Sequence, residues 1–145
     1  MNNHLAALLS ASITQIQENR FSDAEKTLKS ILKIQPKNPD ALCFIGIVQI
    51  SKFEYKEALN SFSKSLEINP KNPVALKNQG FVLQELGRHS DALLSYEKAL
   101  NIQPSDPETL NNKGTVLQYL NRFDESLNCY DAAIGIAPSY SEAYN

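Results

Sequence analysis

The sequence predicts an all-α fold, a solenoid of stacked helix–turn–helix units, and three observations carry that expectation. Pro36, Pro70, Pro104 and Pro138 recur at a step of 34 residues. A second series, Pro39, Pro73 and Pro107, keeps the same step and directly follows Asn38, Asn72 and Asp106. Between the prolines, apolar residues recur at helical spacing in two stretches per period. Proline cannot continue a helix but suits its first position, and Asn or Asp before it caps the open N–H groups. Each period therefore reads as stop, turn, cap and start. A fixed period of this size marks an array in which each unit buries its apolar face against its neighbours.

The expected units are 5–38, 39–72, 73–106 and 107–140, together one domain, and 141–145 restarts the template. Tyr144 then falls in register with Leu110, so the chain is expected to be a piece of a longer repeat protein with an incomplete fifth unit. In unit one the buried face is expected at Leu8, Ser12, Ala24, Leu28 and Ile31, and Ser22 with Glu25 has the spacing of a capping box. Unit two offers Leu42, Ile45, Gly46, Ala58, Phe62 and Ser65. Unit three places Leu76, Gln79, Gly80 and Leu83 on one face of its first helix. Ala92, Leu93, Tyr96, Ala99 and Leu100 follow on the second helix, with Ser90 as its cap. Unit four repeats the scheme with Leu110, Gly114, Leu117, Ser126, Tyr130 and Ala133. The small pairs Gly46/Ala58 and Gly80/Ala92 are expected to let two helices pack closely. Gly87 supplies a left-handed turn residue, and Asn19 and Asn121 stand in its place in units one and four. Phe53 is poorly suited to that backbone, so the turn of unit two is expected to differ. Eight helices of about 13 residues result.

Composition narrows the function. The chain carries 14 basic and 16 acidic residues for a formal charge of −2. That balance argues against nucleic acid or an anionic membrane as the partner, since both reward a basic face. No apolar run approaches the ~20 residues of a membrane-spanning helix. Residues 5–12 have a faint look of a signal core but lack a basic leader, and the repeat claims them as helix. Cys43 and Cys129 lie more than two repeats apart, too far to bridge in a solenoid; such thiols suit a reducing compartment, so a cytoplasmic location is expected. His4 and His89 are the only histidines. The run His89-Ser90-Asp91 holds triad residue types, but neighbours on one turn cannot converge as nucleophile, base and carboxylate. No zinc-ligand spacing and no glycine-rich phosphate loop occur. No catalysis, metal or cofactor is therefore expected. Tyr96, Tyr130, Phe62 and Leu28 fall at equivalent second-helix positions and read as core.

Small residues in phase with the prolines, such as Gly46 with Ala58 and Gly80 with Ala92, make residues 5–140 resemble the tetratricopeptide repeat family. The resemblance implies a right-handed superhelix whose first helices line a concave face and whose second helices cover a convex one. It also implies that a polypeptide is bound in the concave groove. One position beyond the core stripe, the first helices carry Leu9, Ile13 and Ile16, then Cys43, Ile47 and Ile50. Units three and four carry Lys77, Phe81 and Gln84, then Asn111, Thr115 and Gln118. The groove is thus expected to be apolar in its N-terminal half and amide-rich in its C-terminal half. Ile13 and Ile47 serve either the groove or the contact between neighbouring first helices. Lys77, Asn111 and Gln118 are expected to be exposed, because burying them without partners is costly.

Asn78 and Asn112 occupy the same place in consecutive units, similar to the asparagine ladder in the repeat arm of O-linked N-acetylglucosamine transferases. A carboxamide both donates and accepts, so it suits peptide groups regardless of side chain. Ser10 and Phe44 stand at the equivalent places in units one and two, leaving two rungs; a plain helix-surface role is the other reading. The lysine/asparagine/arginine clamp by which some tetratricopeptide domains grip chaperone tails is absent. Leu9 and Ile13, or Cys43 and Ile47, stand at its first positions, and Phe81 breaks the match begun by Lys77. The expected candidate face is therefore Ile47, Ile50, Lys77, Asn78, Phe81, Gln84, Asn111, Asn112, Thr115 and Gln118, with a protein or peptide partner. Alternatives are a substrate-recruiting arm of a larger enzyme, such as a glycosyltransferase, and a homo-oligomer formed through uncapped repeat ends.

Overall fold

The computed structural model describes residues 3–138. Within them the chain forms eight helices and no strand: α1 (Asn3–Gln17), α2 (Phe21–Ile34), α3 (Pro39–Ser51), α4 (Tyr55–Ile68), α5 (Pro73–Glu85), α6 (His89–Ile102), α7 (Pro107–Tyr119) and α8 (Phe123–Ile136). Residues 5–12 belong to α1. Residues 141–145, where a fifth unit is expected to begin with Tyr144 in register, lie outside the described residues.

Pro39, Pro73 and Pro107 open α3, α5 and α7 as their pattern predicts. Asn38 Oδ1 accepts from the Ala41 N–H at 2.9 Å, and Asn72 Oδ1 from the N–H groups of Val74 and Ala75 at 3.0 and 3.3 Å. Asp106 departs from this scheme. Its backbone is extended like theirs, but its carboxylate accepts from the Thr109 hydroxyl and caps no helix N–H. Thr109 stands where Ala41 and Ala75 stand in the earlier units, so only here does a nearer donor compete for the cap.

All four first helices end alike. The N–H groups of Arg20, Glu54, Arg88 and Arg122 reach back five residues to the carbonyls of Gln15, Gln49, Leu83 and Leu117 at 2.7–2.9 Å. The residue before each has positive φ: 60° at Asn19, Phe53 and Asn121, and 78° at Gly87. This is the Schellman arrangement, which satisfies orphan carbonyls through one left-handed residue. The turn of unit two does not differ, contrary to expectation. Phe53 takes the left-handed backbone because the two reverse hydrogen bonds dictate it, and its 76% exposed ring turns outward, edge-on to Tyr55. The second helices α2 and α6 begin two residues earlier than the serine caps require. Ser22 and Ser90 lie inside α2 and α6, whose N-caps Arg20 and Arg88 make no side-chain capping bond. The Ser22/Glu25 capping box does not form; Glu25 instead pairs with Lys29 and Lys52. Arg20–Asp23, Arg88–Asp91 and Arg122–Glu125 ion pairs span the first turns.

Contacts divide the chain into two compact units, Met1–Pro70 and Lys71–Asn145. In the first, α1 packs on α2, α2 on α3, and α3 on α4, with α1 alongside α3. Leu5, Ala24, Leu28, Ile31, Ala41, Ile45 and Val48 form its buried cluster. In the second, α5 packs on α6, α6 on α7, and α7 on α8, with α5 alongside α7. In the pairs α3–α4, α5–α6 and α7–α8 the close approach is made by a ring on a glycine rather than by the expected small-residue pair. A Cβ placed on Gly46, Gly80 or Gly114 would lie 2.7, 2.6 or 2.8 Å from the rings of Phe62, Tyr96 or Tyr130. The glycines admit an aromatic ring edge against the helix backbone, which Gly/Ala pairing alone does not reveal.

Candidate functional site

On α5, Lys77, Phe81 and Gln84 follow i, i+4, i+7, and on α7 so do Asn111, Thr115 and Gln118. Each stands one residue after a core position (Leu76, Gly80, Leu83 and Leu110, Gly114, Leu117), so it lies about 100° around the helix from the buried face. That rotation leaves Lys77, Phe81, Gln84, Asn111 and Thr115 half-buried and Gln118 exposed; Asn78 and Asn112 beside them are also half-buried. Lys77 and Asn111 are thus less exposed than expected. Lys77 is tolerated there because its Nζ donates to Glu108 at 2.8 Å and lies 3.6 Å from Asp106. Burial pulls its pKa down, but the Glu108 and Asp106 carboxylates outweigh burial and hold it above its ordinary value. Lys77 is therefore a neutralised cation rather than a free one.

The amides differ in their engagement. Asn78 Nδ2 donates to the Val74 carbonyl of its own helix at 2.8 Å, whereas Asn112 makes no side-chain hydrogen bond among the described residues. The two rungs are not equivalent. Gln84 Oε1 accepts from Tyr96 OH and Gln118 Oε1 from Tyr130 OH, both at 3.0 Å. Thr115 Oγ1 lies 3.0 Å from Tyr130 OH and 3.1 Å from the Asn111 carbonyl. Burial, then Glu108 and Glu85, pushes the Tyr96 phenol well up, so it stays protonated and remains a donor. A cleft of about 310 Å³ opens beside Gln84, lined also by Glu85, Gly87, His89 and Tyr119. The His89 and Tyr119 rings stack there at 4.4 Å.

In the first unit, Ile47 and Ile50 of α3 are half-buried, while Cys43 of the same stripe is buried. Leu9 and Ile16 of α1 pack against the buried cluster, so on α1 much of the expected groove stripe is core. Asp91 pairs with Arg88 and His89 stacks on Tyr119, so the His89-Ser90-Asp91 run does not converge. Cys43 and Cys129 are buried outside any disulfide, and burial pushes the Cys129 thiol up. Among the described residues no His, Cys, Asp and Glu groups gather into a metal site, and no helix is long and apolar enough to cross a membrane. Sequence reasoning missed the Gln84–Tyr96, Gln118–Tyr130 and Lys77–Glu108 pairings. The first two had a legible signal, since both partners recur at a step of 34.

Paired helices at a 34-residue step, glycines under aromatic rings and prolines opening alternate helices define a tetratricopeptide helical-repeat protein, of the all-α superhelix class. The chain belongs to the family described as Psidin, N-terminal TPR repeats region, whose model matches residues 48–145. A search of the curated proteins gives no match. Among solved structures, a crystal structure of MamA is similar at 20% identity and TM-score 0.81, over 97% of this chain and 82% of that one. The MamA RS-1 ArsTM double mutant is similar at 20% identity and TM-score 0.82, over 95% and 78%. PilF of Pseudomonas aeruginosa is similar at 20% identity and TM-score 0.84, over 92% of this chain and 61% of PilF. The fold is that of protein-interaction modules.

Proposed function

We propose that the chain binds a polypeptide and performs no chemistry of its own, and that in the second unit the ligand lies on the first-helix face of α5 and α7. The observation that supports this reading is the half-buried Phe81 on the same stripe of α5 as Gln84, with Asn111, Asn112, Thr115 and Gln118 on the neighbouring α7. An aromatic anchor supplies affinity, and amides meet a peptide backbone regardless of sequence. In the first unit, Ile47 and Ile50 of α3 are the corresponding apolar anchors. On this reading the module works in the cytoplasm with protein rather than nucleic acid or membrane as partner, which the near-neutral charge and two non-bridging thiols support. The reading as a recruiting arm of a glycosyltransferase-like enzyme rests on Asn78 and Asn112 alone, and Asn78 is bonded to its own helix.

Burying an apolar anchor contributes ~1.5–3 kcal/mol, against ~0.5–1.5 for a neutral hydrogen bond. For a short peptide selected from a random displayed library, Phe81→Ala is therefore expected to weaken binding more than Asn78→Ala. Raising salt should change affinity little, because Glu108 and Asp106 already neutralise Lys77. Titration of both variants at two salt concentrations tests this. Unchanged affinity in both would move binding off this face.

Self-association is a second reading, and α8 favours it. Phe123, Leu127 and Ile134 stand exposed on its outer side, and Leu127 is 58% exposed where its equivalent Leu93 on α6 is 6% exposed. Light scattering over a concentration range tests this, and a mass that stays monomeric throughout would remove it.

A further inference from the structure

We propose that Gln84 and Gln118 are hydrogen-bond donors of fixed polarity, so that the α5–α7 face takes acceptors, namely the backbone carbonyls of an extended polypeptide. The inference rests on the preceding reading that this face binds a polypeptide. Tyr96 is fully buried, and its hydroxyl has one hydrogen-bond partner among the described residues, Gln84 Oε1 at 3.0 Å. A buried hydroxyl must place its proton on an acceptor. The carboxamide therefore turns its oxygen toward the tyrosine and its NH₂ away from it. Tyr130, half-buried, orients Gln118 by the same 3.0 Å bond in the arrangement where the Thr115 hydroxyl, also 3.0 Å away, donates to the phenol oxygen and leaves its proton for Gln118. A free carboxamide offers a ligand either polarity. Locked by a phenol, each glutamine holds its oxygen toward the tyrosine and presents its two N–H donors on the other side.

The repeats supply an independent control. At the two positions that hold Gln84 with Tyr96 and Gln118 with Tyr130, the earlier units hold Ile16 with Leu28 and Ile50 with Phe62. The hydroxyl and the amide occur together and are absent together. A tyrosine kept only for its ring would not require a glutamine opposite, since Phe62 fills the equivalent space against Gly46 as Tyr96 does against Gly80. The spacing also suits an extended chain. Packed helices run about 8–10 Å apart, and alternate carbonyls of a strand about 6.8 Å apart. Carbonyls two or three residues apart thus meet successive glutamines on α5 and α7, which lie side by side.

The test uses the full chain, isotopically labelled on nitrogen, with a short peptide selected from a random displayed library. Gln84→Glu and Gln118→Glu keep the shape and an oxygen for the tyrosine but replace the outward donors by an acceptor. Each is expected to weaken the peptide about tenfold, roughly a lost hydrogen bond plus repulsion of the carbonyl. In the unsubstituted chain, the side-chain NH₂ resonances of both glutamines should move on peptide binding, while that of Asn78, already bonded to Val74, should not. Gln118 is exposed, so Gln118→Glu folds and keeps the test decisive even if Gln84→Glu does not. Full affinity in the glutamate variants, with Phe81→Ala still weakened, would overturn the donor assignment and leave the groove standing. Full affinity in Phe81→Ala and both glutamate variants would remove the groove itself, and this proposal with it.

Discussion

Substituting Gly80 by alanine adds one methyl group where the helix backbone meets a ring. The new Cβ would lie 2.6 Å from Tyr96 Cε1, 2.7 Å from Cδ1 and 3.0 Å from Cζ, well inside ordinary contact. Tyr96 has little room to yield, being fully buried and hydrogen-bonded to Gln84. Two effects oppose each other. Glycine to alanine inside a helix gains ~0.8–1 kcal/mol of propensity, whereas overpacking a filled core costs ~1–3 kcal/mol. A net loss of about 1 kcal/mol is expected for alanine, and more for leucine. The sharper quantity is the coupling to the ring. In a Tyr96→Leu background the methyl no longer meets a flat aromatic edge, so the cost of Gly80→Ala should fall by about 1–2 kcal/mol. Urea unfolding of the four chains, followed by circular dichroism, measures this cycle. A Gly80→Ala chain at least as stable as the parent, with no coupling to Tyr96, would refute the ring-on-glycine account.

Three other outcomes are expected. Phe53→Asn should raise stability by about 0.5 kcal/mol, since asparagine tolerates the left-handed backbone at lower cost and only an exposed edge contact with Tyr55 is lost; a lower melting temperature would contradict this. Asn38→Ala should cost about 1 kcal/mol by removing the bond to the Ala41 N–H, whereas Asp106→Ala should act through Lys77 and Thr109 and shrink with added salt, as urea melts at two ionic strengths would show. Lys52 and Lys29 hold the Glu25 carboxyl below its ordinary value, so its contribution is fully present above pH about 4.5 and lost as pH falls through the depressed value. The stability gap between the parent and Glu25→Gln should therefore be widest near neutrality and close on acidification; a gap unchanged down to pH 3 would show that the Lys52 and Lys29 pairs do not act through charge.

The sequence by itself determined the helix count, the positions of the chain breaks and most of the buried face. Those features depend on local chemistry with a period: proline and asparagine at helix starts, left-handed residues at turns, and apolar residues at helical spacing. It determined less where several groups compete for one partner. Asp106 has the composition of a cap but meets Thr109, and Ser22 and Ser90 have the composition of caps but fall inside their helices. On the candidate face, the residue identities of Lys77, Phe81, Gln84, Asn111 and Gln118 were legible from spacing, because a helix fixes which positions share a side. Their chemical state was not. Lys77 is neutralised by Glu108 from the next repeat's first helix, Gln84 is oriented by Tyr96 from the partner helix, and Gly80 receives that same ring. Each of these depends on side chains 12 to 31 residues apart meeting across helices, a distance that no local pattern spans and only the packed tertiary structure decides.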